Sequence, residues 1–282
     1  MGSPLRPLEE PYRSRALPAG TARHWSWLFA AQGSREPLLG IYALLAEWRA
    51  LMDPSTEAAV ARLKLAWWLE EMQRLAAGAP VHPISRYLAA LPRAAAADFA
   101  PLQRAVEAAA LQIAGAPLEH GEELSAHSEA LRGGPLMVAA RLAGEPHEAA
   151  AGLRGCIAAL ASAEYLAGAI ADYRREARAG RVVFPVDELL ESGIENADLA
   201  AAIAPDHLQS YLDGVRRRAA ECFAAAADAL PRETRAPLRH LLVLAALGAK
   251  HLNSRRAPAD ASFRLQDLYL AWSTARGAAL QT

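Results

Sequence analysis

The 282-residue chain is 53% hydrophobic and carries only 18 glycines and 18 prolines, enough apolar material for one large packed domain or two small ones. Its formal net charge of −1 excludes a nucleic-acid binder that works by bulk electrostatics. Abundant alanine favours helix and close helix–helix contact, and the two cysteines, Cys156 and Cys222, lie in apolar helical contexts as reduced core thiols.

Residues 1–20 hold four prolines and little apolar periodicity, and they read as a loose N-terminal arm. They lack the apolar centre of a secretory signal, and no apolar run approaches the roughly 18 residues that span a bilayer. The expected location is the cytoplasm, with peripheral membrane contact left open. From Thr21 onward the periodicity is helical, and residues 21–282 read as a single all-α domain of about ten helices. A short helix beginning near His24 is expected to end at Gly33-Ser34, with Pro37 in the first turn of the next, which runs to about Asp53. Ser55 is expected to cap a long helix closed by Gly78. A turn through His82-Pro83 leads to a short helix, and two more reach about Ala114. Residues 118–132 are helical and polar until Gly133-Gly134-Pro135 interrupts them, and a long helix spans roughly 148–179. Residues 182–185 are extended and 186–192 form a short helix; long helices follow at about 207–229, 234–253 and 260–277.

One stretch carries the clearest chemical pattern. Asp172 and Glu176 stand four apart near the end of the long helix, so their carboxylates share a face one turn from each other. Such a pair can hold Mg2+, which prefers oxygen ligands and often shares them with a phosphate. It can equally be a solvated pair beside Arg174, Arg175 and Arg178. Other constellations are weaker. His120, Glu123 and His127 can share a helix face but lack the ligand count of a zinc site. Trp67 and Trp68 read as core, His82 as a turn former, and the Arg216-Arg217-Arg218 run as a solvated face.

The string at residues 62–84, with Arg62, Lys64, Trp67, Trp68, Glu70, Glu71, Gly78, Pro80, His82, Pro83 and Ile84, closely resembles the squalene/phytoene synthase family. Residues 177–189, A-R-x-G-R-V-x-F-P-x-D-E-L, resemble it again, as does the final helix through Phe263 and Trp272. The resemblance covers roughly residues 25–275. It implies an isoprenoid (terpenoid) synthase fold, with helices around a deep apolar cavity, and an isoprenyl diphosphate or prenyl chain as ligand. In such a transferase two carboxylate pairs on facing helices grip Mg2+ ions, and these neutralise the departing diphosphate. The implied metal-facing residues here are Asp172, Glu176 and Asp53, and the implied substrate-facing ones are Arg49, Tyr42 and Tyr165.

Several positions depart from the family pattern. Asp172 and Glu176 stand for two aspartates, a mild change. Aligning Tyr42-Ala43 with the family's tyrosine-alanine puts Arg49 and Ala50 where two adjacent aspartates belong, leaving Asp53 as the remaining one. Tyr165, Gly168, Ala171 and Ala46 replace polar or basic residues, and residues 127–135 lack the family's tyrosines. Arg49 and Asp53 are expected to pair across one helical turn, which would occupy Asp53. The expected function is therefore a family member without normal head-to-head prenyl transfer, acting as a prenyl-binding or assembly protein. The family includes a mitochondrial assembly factor for respiratory complex I, which gives that reading a precedent through resemblance. The alternative is an active Mg2+-dependent prenyltransferase in which Arg49 replaces a metal ligand.

Overall fold

The computed structural model describes residues 7–144, 150–252 and 264–280, and among them every regular element is helical. The axis of the fold is α3 (Gln32–Met52), whose residues 37–44 are buried on every side. A helix apolar all round has to be surrounded. Accordingly α1 (Glu10–Ala16), α2 (Ala22–Leu28), α4 (Ala58–Ala76), α5 (Pro83–Ala89), α6 (Ala100–Ala114) and α8 (Gly134–Ala143) all contact it. Beside this group α9 (Ala150–Arg178) lies along α12 (Asp206–Ala229), the most extensive helix pair in the molecule. Here α7 (Gly121–Ser128) and α11 (Asn196–Ala200) pack on α9, α10 (Val186–Glu191) is tied to α12 through Glu188, α13 (Arg232–Arg235) meets the last helix, and α14 (Arg239–Leu252) packs on α12. A second, smaller core joins Trp25 of α2, Val243 and Leu247 of α14, and Ala271 and Ala275 of α15 (Leu265–Ala279).

Several boundaries differ from the sequence reading. The expected arm contains α1, with Ala16 and Leu17 buried; residues 1–6 lie outside the described residues. Gly33-Ser34 does not end a helix, because α3 begins at Gln32 and takes Pro37 inside it. Ser55 does not cap α4; its backbone N–H and hydroxyl both bond to Asp53 instead. Gly133-Gly134-Pro135 does not break the chain direction: a π-helical turn, Glu129–Gly133, carries α7 into α8. Finally, Ala151–Arg178 is long and apolar enough to cross a membrane by length and composition, against the expectation of no such run. Half of its most apolar window is buried between α12 and the π-helical turn, as suits a core helix.

The close approach of α14 to α12 requires Gly248. A Cβ there would lie 2.3 Å from two Phe223 ring carbons, and that ring is 2% exposed with nowhere to go. Alanine would gain about 1 kcal/mol of helix propensity but overpack by about 1–3 kcal/mol or more. Gly248→Ala is expected to be net destabilising by about 1–2 kcal/mol in urea unfolding. His240, at the start of α14, is fully buried, and burial first, then neighbouring Arg239, pushes its imidazole down to about 3. The unfolded histidine titrates near 6.5, so between those values the unfolded chain binds the extra proton. Stability is therefore whole above about pH 6.5 and falls as pH drops, by on the order of 4 kcal/mol at pH 3. His240→Leu is expected to flatten that decline, read from urea midpoints at each pH.

Candidate functional site

The last turn of α3 and the last two turns of α9 end side by side, because α9 stops at Gly180 (φ 75°) and the chain folds back through Arg181. The Asp53 carboxylate is held at one oxygen by the Ser55 N–H at 2.9 Å and hydroxyl at 2.7 Å. Its other oxygen accepts from Arg175 Nη1 at 2.8 Å, while Nη2 of the same guanidinium lies 3.1 Å from Asp172 Oδ1. One cation thus bridges a carboxylate on α3 and one on α9. The Ser55 bonds, with Arg175, hold the Asp53 carboxyl below its ordinary range. Glu176 turns away from this bridge, is 5% exposed, and accepts from Arg181 Nε at 2.6 Å. Burial lifts its carboxyl above the ordinary value, and Arg181 only partly opposes this. Arg181 also donates to the Met52 carbonyl at 3.1 Å, a second tie between α9 and α3.

Arg49 does not pair with Asp53. It lines an inner cavity of about 20 Å³ with Arg23 and Arg132, walled by Trp48, Leu45 and Met52. Asp53 has nearer donors in Ser55 and Arg175, and Arg49 stays solvent-exposed at the rim of that cavity. The carboxylate facing this group is Glu164, 3.9 Å from Arg132 Nη1. Burial pulls the Arg23 and Arg132 guanidinium groups below their ordinary values, and Glu164 opposes it at both. Arg132 Nε is buried without a hydrogen-bond partner. Its Nη2 sits beside Gly168, where a Cβ would be at 3.5 Å, an ordinary contact distance.

The two tyrosines are structural in position. Tyr42 is 1% exposed, shares a 3.0 Å hydrogen bond with Ser26, and carries Arg23 over its ring at 5.6 Å. Tyr165 donates to the Val183 carbonyl at 3.3 Å, and burial pushes its phenol up to about 12. His127 stands edge-on to that ring; burial, then Arg132, brings it down to about 4, so it is neutral at pH 7. His120 and Glu123 point elsewhere, the first to Asp187 at 3.0 Å and the second to the Glu119 N–H at 2.7 Å. Among the described residues no three His, Cys, Asp or Glu side chains converge as a metal-holding group.

The squalene/phytoene synthase family model matches residues 18–275. The chain belongs to the squalene/phytoene synthase family. No curated protein sequence matches it. Its fold is similar to that of a dehydrosqualene synthase solved with a ligand, at a TM-score of 0.70 and 12% identity over 91% of each chain. It is also similar to squalene synthase HpnC from Alicyclobacillus acidocaldarius, at a TM-score of 0.65 and 20% identity over 81% of this chain and 85% of that one.

The family block at residues 62–84 builds a turn rather than a ligand site. Glu71 is fully buried and accepts from the Val81 N–H at 3.0 Å, the His82 N–H at 2.8 Å and Arg74 Nε at 2.8 Å. Burial works against its charge, but those bonds hold the carboxyl below the ordinary value. His82 then caps α5 by accepting from the Ile84 N–H, as a turn former should. Sequence reasoning named Arg175 as a neighbour of the carboxylate pair but missed Arg23, Arg132 and the pairing role of Arg181. Arg175 and Arg181 stood beside the carboxylates in the sequence, but spacing alone could not say which arginine turns toward which acid.

Removing the bridging cation would leave Asp53 and Asp172 facing each other. The exposed bridge is worth about 1 kcal/mol or less to folding, so Arg175→Ala is expected to leave the melting temperature nearly unchanged. A metal-sized cation gains where the guanidinium is lost. Mn2+ affinity, measured by electron paramagnetic resonance of the titrated ion, is expected to rise about tenfold or more.

Proposed function

We propose that the protein keeps the squalene/phytoene synthase fold without metal-dependent head-to-head prenyl transfer and serves as a binding or assembly protein of isoprenoid metabolism. The observation that carries this reading is Arg175, whose guanidinium stands between Asp53 and Asp172. Glu176 is taken by Arg181. All three carboxylates that the family pattern assigns to Mg2+ therefore already face cations, and the guanidinium groups, not the oxygen donors, oppose a divalent ion. A metal within ~4 Å of a guanidinium meets a repulsion of roughly 8 kcal/mol at an effective dielectric of ~20. The interior supports the same reading. A cavity of about 20 Å³ admits about one water, while small-molecule pockets run to roughly 300–1,000 Å³.

A second reading rests on Arg49. Three guanidinium groups around one carboxylate form a cationic end to the cavity, and arginine forks grip phosphate oxygens bidentately. An isoprenyl diphosphate could be held there by its headgroup without metal, once the apolar wall opened.

Incubation with labelled farnesyl and geranylgeranyl diphosphate plus Mg2+, followed by hexane extraction, is expected to give no squalene, phytoene or cyclopropyl intermediate. Formation of any of these would overturn the main reading. In that event Arg49→Ala should abolish turnover if Arg49 replaces a metal, and unchanged turnover in that variant would sink the second reading.

A further inference from the structure

The outer face of α15 has no partner within the described residues. Leu265, Tyr269, Trp272, Arg276 and Leu280 follow one another at spacings of four, three, four and four. At 3.6 residues per turn they fall within an arc of roughly 80°. The opposite face, through Ala271, Ala275 and Ala278, is the one buried on α14 and α2. The outer residues are open to solvent: Leu265 is 72% exposed, Tyr269 67%, Trp272 43% and Leu280 74%. They form a continuous ladder, with the Tyr269 and Trp272 ring centroids 5.9 Å apart and the Arg276 guanidinium 5.3 Å from the Trp272 ring.

Charge tells what this stripe suits. The only acid on α15, Asp267, lies on the buried side at 2% exposure and is taken by Lys250 at 2.6 Å and His251 at 2.9 Å. The exposed face therefore presents aromatic rings, leucines and a guanidinium, with no carboxylate. Tyrosine and tryptophan have an apolar body and a polar tip that settle at the bilayer–water boundary. An amphipathic helix with such a face lies in the interface plane, and its cationic groups draw it to anionic headgroups.

We propose that α15 docks the protein on an anionic lipid bilayer, lying flat with Leu265, Tyr269, Trp272 and Leu280 among the acyl-chain boundary and Arg276 at the phosphates. This holds whether or not the cavity side of the molecule is catalytic. It is separate from any bilayer crossing by α9, whose apolar face is spent on the core.

The test is flotation of the full-length protein with vesicles of phosphatidylcholine containing about 30 mol% phosphatidylglycerol. Binding is expected, several-fold weaker on pure phosphatidylcholine and in about 0.5 M salt. The double variant Tyr269→Ser/Trp272→Ser changes only exposed side chains, so its circular dichroism and melting temperature should match the parent while its binding falls about tenfold or more. Equal flotation of parent and variant, or no flotation of the parent, would overturn the proposal. So would a concentration-dependent dimer, seen by light scattering without vesicles, that the double variant abolishes, since the stripe would then cover a second copy.

Discussion

Two carboxylates on neighbouring helix ends repel each other unless a cation stands between them. Because both groups are partly exposed, solvent screens that repulsion to about 1 kcal/mol or less. The junction of α3 and α9 depends on how that charge is met. Here it is met from within the chain: Arg175 between Asp53 and Asp172, Arg181 between Glu176 and the Met52 carbonyl. A guanidinium differs from a divalent ion in a way that matters for chemistry. It carries one charge where a divalent ion carries two, and it is tethered to its helix.

The same substitution propagates inward. With the carboxylate end closed, the next layer of the fold holds Arg23, Arg49 and Arg132 against Glu164. Arg23 and Arg132 are partly buried like charges, which persist only where something compensates them. Glu164 opposes the effect of burial at both, and the Tyr42 ring offers its face to Arg23. With the exposed Arg49 at the rim, positive charge here outnumbers the one carboxylate that faces it.

The all-α fold was legible because apolar periodicity runs from Thr21 onward without β alternation, and because the block at residues 62–84 is dense in residues with fixed structural duties. Glu71 shows why such a block reads well: its buried carboxylate accepts from three donors, so losing it would leave buried N–H groups unpaired. The candidate site was half legible. Asp53, Asp172 and Glu176 do gather near one junction, as their positions on α3 and α9 implied. The pairing of Arg49 with Asp53 was not realised, because helical spacing states only which residues can meet, and a tertiary neighbour on α9 competed for the same oxygen. The helix boundaries at Gly33, Ser55 and Gly133 misled for a related reason. Local stop signals lose to burial when the flanking residues are needed in the core, as α3 and the π-helical turn show.

The pattern of what was kept and what was changed separates two kinds of constraint on one scaffold. Turn locks such as Glu71 and the buried Phe184, packed at 5.4 Å edge-on to Tyr211, specify how helices meet, and they serve any function the fold carries. The charged ends of α3 and α9 specify chemistry; Asp53, Asp172 and Arg175 lie in last turns beside solvent, where they can be rewritten with little disturbance, while Glu176 and Arg181 are largely buried there. Tethered guanidinium groups join α3 to α9 at that junction without a bound ion. They also make it insensitive to pH through the neutral range, because arginine stays charged there. Under the function proposed above, a junction so fixed suits a protein that presents a constant surface rather than one that captures and releases ions with each turnover.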